Sequence, residues 1–306
     1  MSQINNLGKS NSNEEKVNVV WLQGSGCTGC TISLLQTEDP DLVNAIEWFK
    51  LALIFHPTVM IPAGKEALKP LYEIKNDERV LNVLIVEGAV PEGHYCELGE
   101  DGGKPVFFEE WVKVLGEKAS YVVAIGTCAA FGGIPSAKPN PTNCRSVKDV
   151  LQDKPVINIP GCPPHPDWIW LTLGSLLLGN EKWIELDDLG RPKIFFADYI
   201  HDICPRRQHF ENLFLSDTHA EEKCLYKLGC KAALTKADCP IRLWNNGINF
   251  CISANAPCIG CTEPGFPDEP FAPFYERLIS PEELVLRALS QSHEKIKVAG
   301  EGQKKA

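Results

Sequence analysis

The sequence predicts an α/β fold in which a parallel β-sheet comes first and a loop-rich region with little regular structure follows. Two observations predict the sheet: apolar runs of strand length recur along the first part of the chain, and segments long enough for helices separate them. Strands that alternate with helices form parallel sheets with crossover helices. The third observation is a change near Arg191, after which strand-like runs thin out while cysteines, prolines and aromatic residues become more frequent.

The predicted elements follow one another in a regular order. The apolar runs that we expect to form strands are Val17–Leu22, Leu51–Phe55, Val80–Val86, Tyr121–Ile125 and Val156–Ile159. Segments with the pattern of helices lie between them, among them Thr31–Gln36, Asp41–Trp48 and Phe107–Lys118. Late in the chain, Ser280-Pro-Glu-Glu283 has the capping serine, first-turn proline and glutamate that begin a helix.

The chain divides into four predicted parts. Residues 1–15 are polar and have the composition of a disordered tail. The sheet domain covers residues 16–188, and the stretch Glu185–Pro192 separates it from a cysteine-rich region over residues 189–275. Residues 276–306 hold the C-terminal helix and a frayed tail.

Composition excludes two classes of partner. The 306 residues carry a net charge of −10, which argues against nucleic acid, and they contain no 20-residue apolar run that would predict a membrane span of the chain's own. The first residues lack the apolar core of a signal peptide, so the visible chain predicts a cytoplasmic protein. A processed form of an exported protein would instead be periplasmic or membrane-associated.

The stretch around which the chain is organised is Trp21-Leu-Gln-Gly-Ser-Gly-Cys-Thr-Gly-Cys30, where the first strand ends and a helix begins. Ligands of open α/β sheets bind at this end of the strands. A phosphate-binding loop would place a lysine here, whereas this chain places two thiols. We therefore expect a metal centre and no nucleotide.

A first group of thiols, Cys27, Cys30, Cys128 and Cys162, follows three separate predicted strands. The carboxyl ends of parallel strands meet at one edge of a sheet, so these four side chains can share one centre. Four thiolates suit zinc or an iron–sulfur cluster. The alternative is four separate buried thiols, but positions just after strands are not typical of a core.

Two further groups lie in the cysteine-rich region. The second group is His201, Cys204, Cys224 and Cys230, in which the histidine and the first cysteine are three residues apart. The third group contains a second C-x-x-C pair and consists of Cys239, Cys251, Cys258 and Cys261. The three groups together account for eleven of the thirteen cysteines. We expect the other two, Cys96 and Cys144, to be structural or incidental.

These motifs resemble those of the small, electron-transferring subunit of nickel–iron hydrogenases, over about residues 17–275. The matching motifs occur in the family's order and are Gly26-Cys-Thr-Gly-Cys30, Glu87-Gly-Ala89, Gly126-Thr-Cys128, Pro160-Gly-Cys-Pro-Pro-His-Pro166, His201-x-x-Cys204, and Trp244-Asn-Asn through Pro257-Cys-Ile-Gly-Cys261. The resemblance implies a flavodoxin-like sheet domain and a separate large subunit that holds the nickel–iron site. It implies no flavin in this chain.

The resemblance also assigns the three groups to three iron–sulfur clusters. The first group matches the ligands of a proximal 4Fe–4S cluster, the second those of a distal 4Fe–4S cluster, and the third those of a medial cluster. Many family members have proline where this chain has Cys251, and they hold a 3Fe–4S medial cluster. The cysteine predicts a fourth iron and a medial 4Fe–4S cluster, as in the nickel–iron–selenium branch; without its coordination the cluster would be 3Fe–4S.

Two further expectations follow from the resemblance. Oxygen-tolerant relatives add cysteines beside the proximal cluster, at positions that here are Gly29 and Gly133, so we expect an ordinary proximal cluster. A downstream redox protein should accept the electrons, and Arg206, Arg207 and Lys227 near the distal ligands form either its docking patch or, as we favour, an ordinary solvated face.

Three other functions fit parts of the pattern. A hydrogen-sensing subunit would keep the clusters but signal to a kinase. A quinone-reductase subunit of the complex I type would match the sheet domain alone, and the sites after residue 190 argue against it. A zinc-stabilised interaction protein would bind zinc in place of iron and sulfide.

Overall fold

The computed structural model describes residues 16–180, 183–268 and 270–271. The predicted tail at residues 1–15 and the predicted helix that begins at Ser280 lie outside the described residues.

Five strands form one parallel sheet, as predicted. They are β1 (Val17–Gln23), β2 (Leu51–Phe55), β3 (Val83–Glu87), β6 (Tyr121–Ile125) and β7 (Ile157–Ile159), in the order β2-β1-β3-β6-β7. Counting only these strands, the order is 2-1-3-4-5, which is the flavodoxin order. The direction of winding reverses between β1 and β3, so the crevice for a ligand opens there.

Helices cover both faces of the sheet, and further helices follow its strands. The helices of this part are α1 (Gly29–Leu34), α2 (Leu42–Trp48), α3 (Gly64–Lys75), α4 (Phe108–Lys118), α5 (Gly126–Phe131), α6 (Gly133–Ser136), α7 (Val147–Leu151) and α8 (Pro166–Leu177). Successive residues of a strand point to opposite faces. Accordingly, Val83 and Ile85 of β3 pack in the core beside α8, whereas Leu84 and Val86 pack in the core beside α3 and α4.

Two features differ from the sequence prediction. The third strand begins at Val83 instead of Val80, and the side chain of Asn82, the residue before it, accepts a 2.8 Å hydrogen bond from the Asn18 amide. An antiparallel hairpin of β4 (Glu97–Asp101) and β5 (Lys104–Phe107) was not predicted. Its strands are mostly exposed and polar, so they lack the apolar alternation that identifies a strand.

The part after residue 190 is less regular, as predicted. Its helices are short: α9 (Lys193–Phe196), α10 (Arg207–Glu211), α11 (Cys239–Arg242) and two 3₁₀ turns at Leu225–Leu228 and Ala232–Leu234. It packs on the α8 face of the sheet, where Phe196, Leu225 and Phe250 join the same core as Trp168. Among the residues that the structure describes, no helix is long and apolar enough to cross a membrane.

Candidate metal centres

The first thiol group lines one pocket at the carboxyl edge of the sheet. Cys27 and Cys30 follow β1, Cys128 lies in α5 after β6, and Cys162 follows β7. Gly88, which follows β3, and Gly126, which follows β6, also line this pocket. The prediction that three strand ends bring four thiols together therefore agrees with the geometry.

The thiols of the first group act on one another. Burial raises the pKa of Cys30 well above its usual value, and the charges of Glu87, Cys128, Cys27 and Cys162 raise it further. Burial and the charge of Cys162 raise the pKa of Cys128 to about 12, against hydrogen bonds from backbone N–H groups that lower it. A dense cluster of thiols of this kind is costly to ionise unless a cation binds among them.

The loop glycines make the space that the thiols need. Gly126 has a φ of +84°, and a Cβ there would lie 2.4 Å from Cys30 Sγ. A Cβ at Gly133 would lie 3.0 Å from Cys128 Sγ, and one at Gly29 would lie 3.1 Å from Cys27 Sγ. Any larger residue at these three positions would therefore contact the candidate ligands.

Glu87 anchors the start of this site. Its buried carboxylate accepts hydrogen bonds from the Cys30 amide at 2.9 Å, the Thr31 amide at 3.2 Å and the Trp21 indole at 3.0 Å. The hydroxyl of Thr31 and the amide of Gln23 also donate to it. The carboxylate at the end of β3 thus fixes the first turn of α1, which carries Cys30.

The third thiol group comes next in space. Burial raises the pKa of Cys239 well above its usual value, and the charges of Cys261 and Cys251 raise it further. Burial raises the pKa of Cys261 to about 12, with a further contribution from Cys251. Burial also raises the pKa of Cys258, to which the charge of Cys261 contributes. The charge of Cys251 therefore contributes to the raised pKa of two of the other three thiols, and its role as a fourth ligand stays a prediction.

Two hydrogen bonds connect the first group to the third. The backbone N–H of Cys162 donates to the sulfur of Cys261. The hydroxyl of Thr127 donates to the Cys261 carbonyl and accepts a 2.9 Å bond from the Gly161 amide. Thr127 is 1% exposed, so these contacts are shielded from water.

The second group lies beyond the third. The pKa of Cys230 is raised to about 11, first by burial and then by the charges of Cys224 and Cys204. His201 belongs to the same turn as Cys204, whose amide donates to the His201 carbonyl at 3.4 Å. The His201 amide in turn bonds to the Ala232 carbonyl at 3.1 Å, and the Ala232 N–H donates to the Cys230 sulfur.

Cys230 and Cys258 connect the second group to the third. The backbone N–H of Cys258 donates to the Cys230 sulfur. Burial and then the charge of Cys230 raise the pKa of Cys258. The Cys258 thiol also donates to the Thr235 hydroxyl at 3.6 Å. The three groups therefore form one series, in which the third group contacts both of the others.

Backbone N–H groups surround the thiols of the irregular region. The N–H two residues after the cysteine donates to the sulfur at four positions, namely Cys204, Cys224, Cys230 and Cys258. Such bonds favour the thiolate, and they are one of the means by which proteins set the potential of iron–sulfur clusters.

Nearby cations are already paired. Arg207 forms ion pairs with Asp202 at 3.2 Å and Glu211 at 2.9 Å, and Lys227 pairs with Asp217 at 3.3 Å. The Arg206 guanidinium bonds to the Asn255 side chain and the Lys223 carbonyl. The arrangement supports the solvated face that we favoured over a basic docking patch.

The donor set and the space around it fit iron–sulfur clusters. Thiolates and one imidazole are the ligands that such clusters take in proteins. Over residues 16–180, 183–268 and 270–271, no group of three or more His, Cys, Asp or Glu side chains has the geometry of a site for a single metal ion. The first group instead lines a pocket.

The sequence analysis quoted Glu87 and Thr127 within matching motifs but gave neither a role at these sites, and it did not single out Thr235. The signal for Glu87 was present, because it is the one acid at the end of the apolar run Val83-Leu-Ile-Val-Glu87. The motif Gly126-Thr-Cys128 contains Thr127, but its contact with Cys261 had no sequence signal, since the two residues are 134 positions apart along the chain.

Comparison with known proteins gives two family matches, which lie on either side of residues 177–195. Residues 27–176 match the family described as NADH ubiquinone oxidoreductase, 20 kDa subunit. Residues 196–275 match the family that describes the C-terminal part of the NiFe/NiFeSe hydrogenase small subunit. The second match covers the two groups of the irregular region.

Individual relatives agree with the second family. The chain is 44% identical to the periplasmic NiFeSe hydrogenase small subunit of Desulfomicrobium baculatum, over 85% of this chain and 87% of the relative. It is 38% identical to the F420 non-reducing hydrogenase II small subunit of Methanosarcina mazei, over 82% of this chain and 73% of the relative. A solved structure of the D. baculatum NiFeSe hydrogenase matches with a TM-score of 0.79, at 44% identity, over 86% of this chain and 99% of that chain.

Proposed function

We propose, because this chain belongs to the family of nickel–iron and nickel–iron–selenium hydrogenase small subunits, that its three ligand groups hold the iron–sulfur clusters of an electron relay. Small subunits of this family serve electron transfer in hydrogenases, and the chain does so too. The observation that carries the proposal is the series of contacts that joins the groups. The Thr127 hydroxyl, next to Cys128, donates to the Cys261 carbonyl, and the Lys231 amide, next to Cys230, donates to the Cys258 carbonyl at 2.7 Å.

The proposed ligands follow the order of the groups in space. Cys27, Cys30, Cys128 and Cys162 would hold a proximal 4Fe–4S cluster. Cys239, Cys251, Cys258 and Cys261 would hold a medial 4Fe–4S cluster. His201, Cys204, Cys224 and Cys230 would hold a distal 4Fe–4S cluster.

When bound, each cluster supplies a site that gains and loses one electron at a time. The chain's own residues set the environment of that exchange. Thr127 and the Cys162 N–H hold the first and third groups in contact, and backbone N–H groups compensate negative charge on sulfur. Burial shields Cys258 from water, and Cys261 is partly buried.

The partners follow from the family. A large subunit would carry the nickel–iron site at which dihydrogen is oxidised or protons are reduced, and it would adjoin the first group. A redox protein would exchange electrons at the second group. The compartment stays a prediction: the polar first residues favour the cytoplasm, and relatives named periplasmic favour an exported form.

The test is the content of acid-labile sulfide and iron in the anaerobically purified heterodimer. We expect about twelve sulfides, since three four-iron clusters hold four sulfides each. Sulfide belongs to the clusters alone, so iron from the large subunit does not confuse the count. Zinc without sulfide would overturn the relay and leave a zinc-stabilised structural protein.

A second measurement separates the relay from a hydrogen sensor. Turnover with an artificial electron acceptor should be sustained if the chain serves a relay. Weak turnover together with binding to a kinase would contradict the proposed role.

A further inference from the structure

The two cysteines outside the ligand groups lie on neighbouring segments of the sheet domain. Cys96 follows a 3₁₀ turn at Gly93–Tyr95 and immediately precedes β4, and Cys144 lies in the loop before α7. Cys144 is 3% exposed, whereas Cys96 is partly exposed. They do not line the pocket of the first thiol group.

Backbone hydrogen bonds hold the two segments side by side. Val90 and Arg145 exchange two N–H to carbonyl bonds of 2.9 Å each. The Glu92 amide bonds to the Thr142 carbonyl at 3.1 Å, and the Asn143 side chain donates to the Glu92 carboxylate at 2.7 Å. The residues before Cys96 therefore run antiparallel to those around Cys144.

A second connection joins the segments from the other side. The Cys96 carbonyl accepts a 2.9 Å bond from the Phe108 amide. The next residue, Glu109, forms a 2.8 Å ion pair with Arg145, the residue after Cys144. Cys96 is therefore bonded to Phe108, and Cys144 precedes Arg145, which is paired with the next residue, Glu109. These contacts limit the distance between the two cysteine side chains.

The thiols themselves interact. Burial raises the pKa of Cys96, and the charge of Cys144 raises it further. The Asn140 side chain fixes Cys144 by two hydrogen bonds. The backbone N–H of Cys144 donates to Asn140 Oδ1 at 2.8 Å, and Asn140 Nδ2 donates to the Cys144 carbonyl at 3.0 Å. The Thr142 hydroxyl lies 3.1 Å from the Cys144 sulfur.

We propose that Cys96 and Cys144 form a reversible disulfide, with Cys96 as the attacking thiol and Cys144 as the resolving thiol. The more accessible Cys96 thiolate attacks a small-molecule or protein disulfide and releases one thiol from it. Cys144 then displaces the second. The two cysteines lose two electrons and two protons, and the oxidising disulfide becomes two thiols.

Such a bond would cross-link the entry of the β4–β5 hairpin to the entry of α7. It closes a long loop that contains the hairpin, α4 and β6, and long loops gain most from a cross-link. This inference does not depend on the proposed electron relay, because neither cysteine belongs to a ligand group.

The test is disulfide mapping on the complete heterodimer. The protein is incubated anaerobically with oxidised or reduced glutathione, alkylated with N-ethylmaleimide during denaturation, and digested for mass spectrometry. We expect a linked peptide pair of Cys96 and Cys144 only after oxidation, and two alkylated peptides after reduction. The sulfide content should be equal in both samples, so that the clusters are intact.

Two variants complete the test. Cys96→Ser should abolish the linked pair and leave Cys144 free for alkylation. The oxidised wild-type protein should melt at a temperature higher by roughly 5–10 °C than the reduced protein, and Cys96→Ser should show no such difference. Cys144→Ser should likewise abolish the linked pair. Absence of the linked pair in the oxidised wild-type protein, with the sulfide content unchanged, would overturn the proposal.

Discussion

We propose that Cys251 decides the type of the medial cluster. Its charge raises the pKa of Cys239 and Cys261, which supports its proposed role as the fourth ligand of the third group. We predict that Cys251→Pro lowers the iron content by about one per molecule and leaves sulfide unchanged, since a 3Fe–4S cluster keeps its four sulfides. The oxidised variant should also gain the EPR signal of a 3Fe–4S cluster.

Cys96→Ser is the matched control, because it removes a thiol that belongs to no ligand group. Its iron, sulfide and EPR spectrum should equal those of the wild type. A strong 3Fe–4S signal in intact, oxidised wild-type protein would refute the role of Cys251.

Thr127 is the residue whose hydroxyl joins the first and third groups. Thr127→Val keeps the shape but removes the bonds to the Cys261 carbonyl and from the Gly161 amide. We expect a loss of about 1–3 kcal/mol of stability, because two buried polar groups lose their partner. We also expect slower electron transfer from the proximal to the medial cluster, measured by rapid-freeze EPR after addition of dihydrogen.

Thr127→Ser retains the hydroxyl and should restore most of that rate. Equal rates of electron transfer in Thr127→Val and the wild type, at equal sulfide content, would show that Thr127 contributes only to packing.

At the scale of the element, the turn after β6 determines the room for Cys30. Gly126→Ala places a Cβ 2.4 Å from the Cys30 sulfur in a backbone conformation with φ of +84°. We predict that it removes the proximal cluster, so that sulfide falls by about four per molecule. The wild-type and variant proteins are compared by sulfide content after anaerobic purification.

Gly102→Ala provides the control, since Gly102 in the β4–β5 turn has φ of +59° and open space around its Cα. It carries a similar backbone penalty of about 1–2 kcal/mol without any contact to a ligand. Full sulfide content in Gly126→Ala would show that the turn tolerates the side chain.

The elements divide clearly into those that the sequence predicts and those that it does not. Leu51–Phe55 and Tyr121–Ile125 were predicted with the observed bounds, because buried parallel strands are continuous apolar runs. The hairpin at residues 97–107 escaped prediction, since an exposed ribbon needs no apolar pattern. That the four thiols of the first group line one pocket could be predicted because strand ends converge, whereas the contact of Thr127 with Cys261 needed the packed structure.

At the scale of the whole molecule, Arg191 joins the sheet domain to the irregular region. Its side chain is 2% exposed and pairs with Asp187 at 2.8 Å and Glu263 at 2.9 Å, next to the loop of Cys261. It also donates to the Thr262 carbonyl at 3.2 Å. We predict that Arg191→Met costs about 3–5 kcal/mol, because it leaves two carboxylates without their buried partner.

The control is Lys193→Met, which removes an exposed ion pair with Glu185 and should leave stability nearly unchanged. Thermal or denaturant unfolding of the heterodimer measures both. Equal effects of the two substitutions would show that the Arg191 pairs do not hold the regions together. The boundary at residues 188–189 itself stays a prediction.

The contacts of the third group with both neighbours have a kinetic consequence. In the proposed relay, an electron that crosses the protein passes two junctions in sequence, one at Cys162 and Cys261 and one at Cys258 and Cys230. Transit times then add, and the slower junction sets the throughput. A substitution that slows the faster junction therefore has little effect on turnover until that junction becomes the slower of the two. A variant with unchanged turnover is thus not evidence that the substituted residue lies off the route.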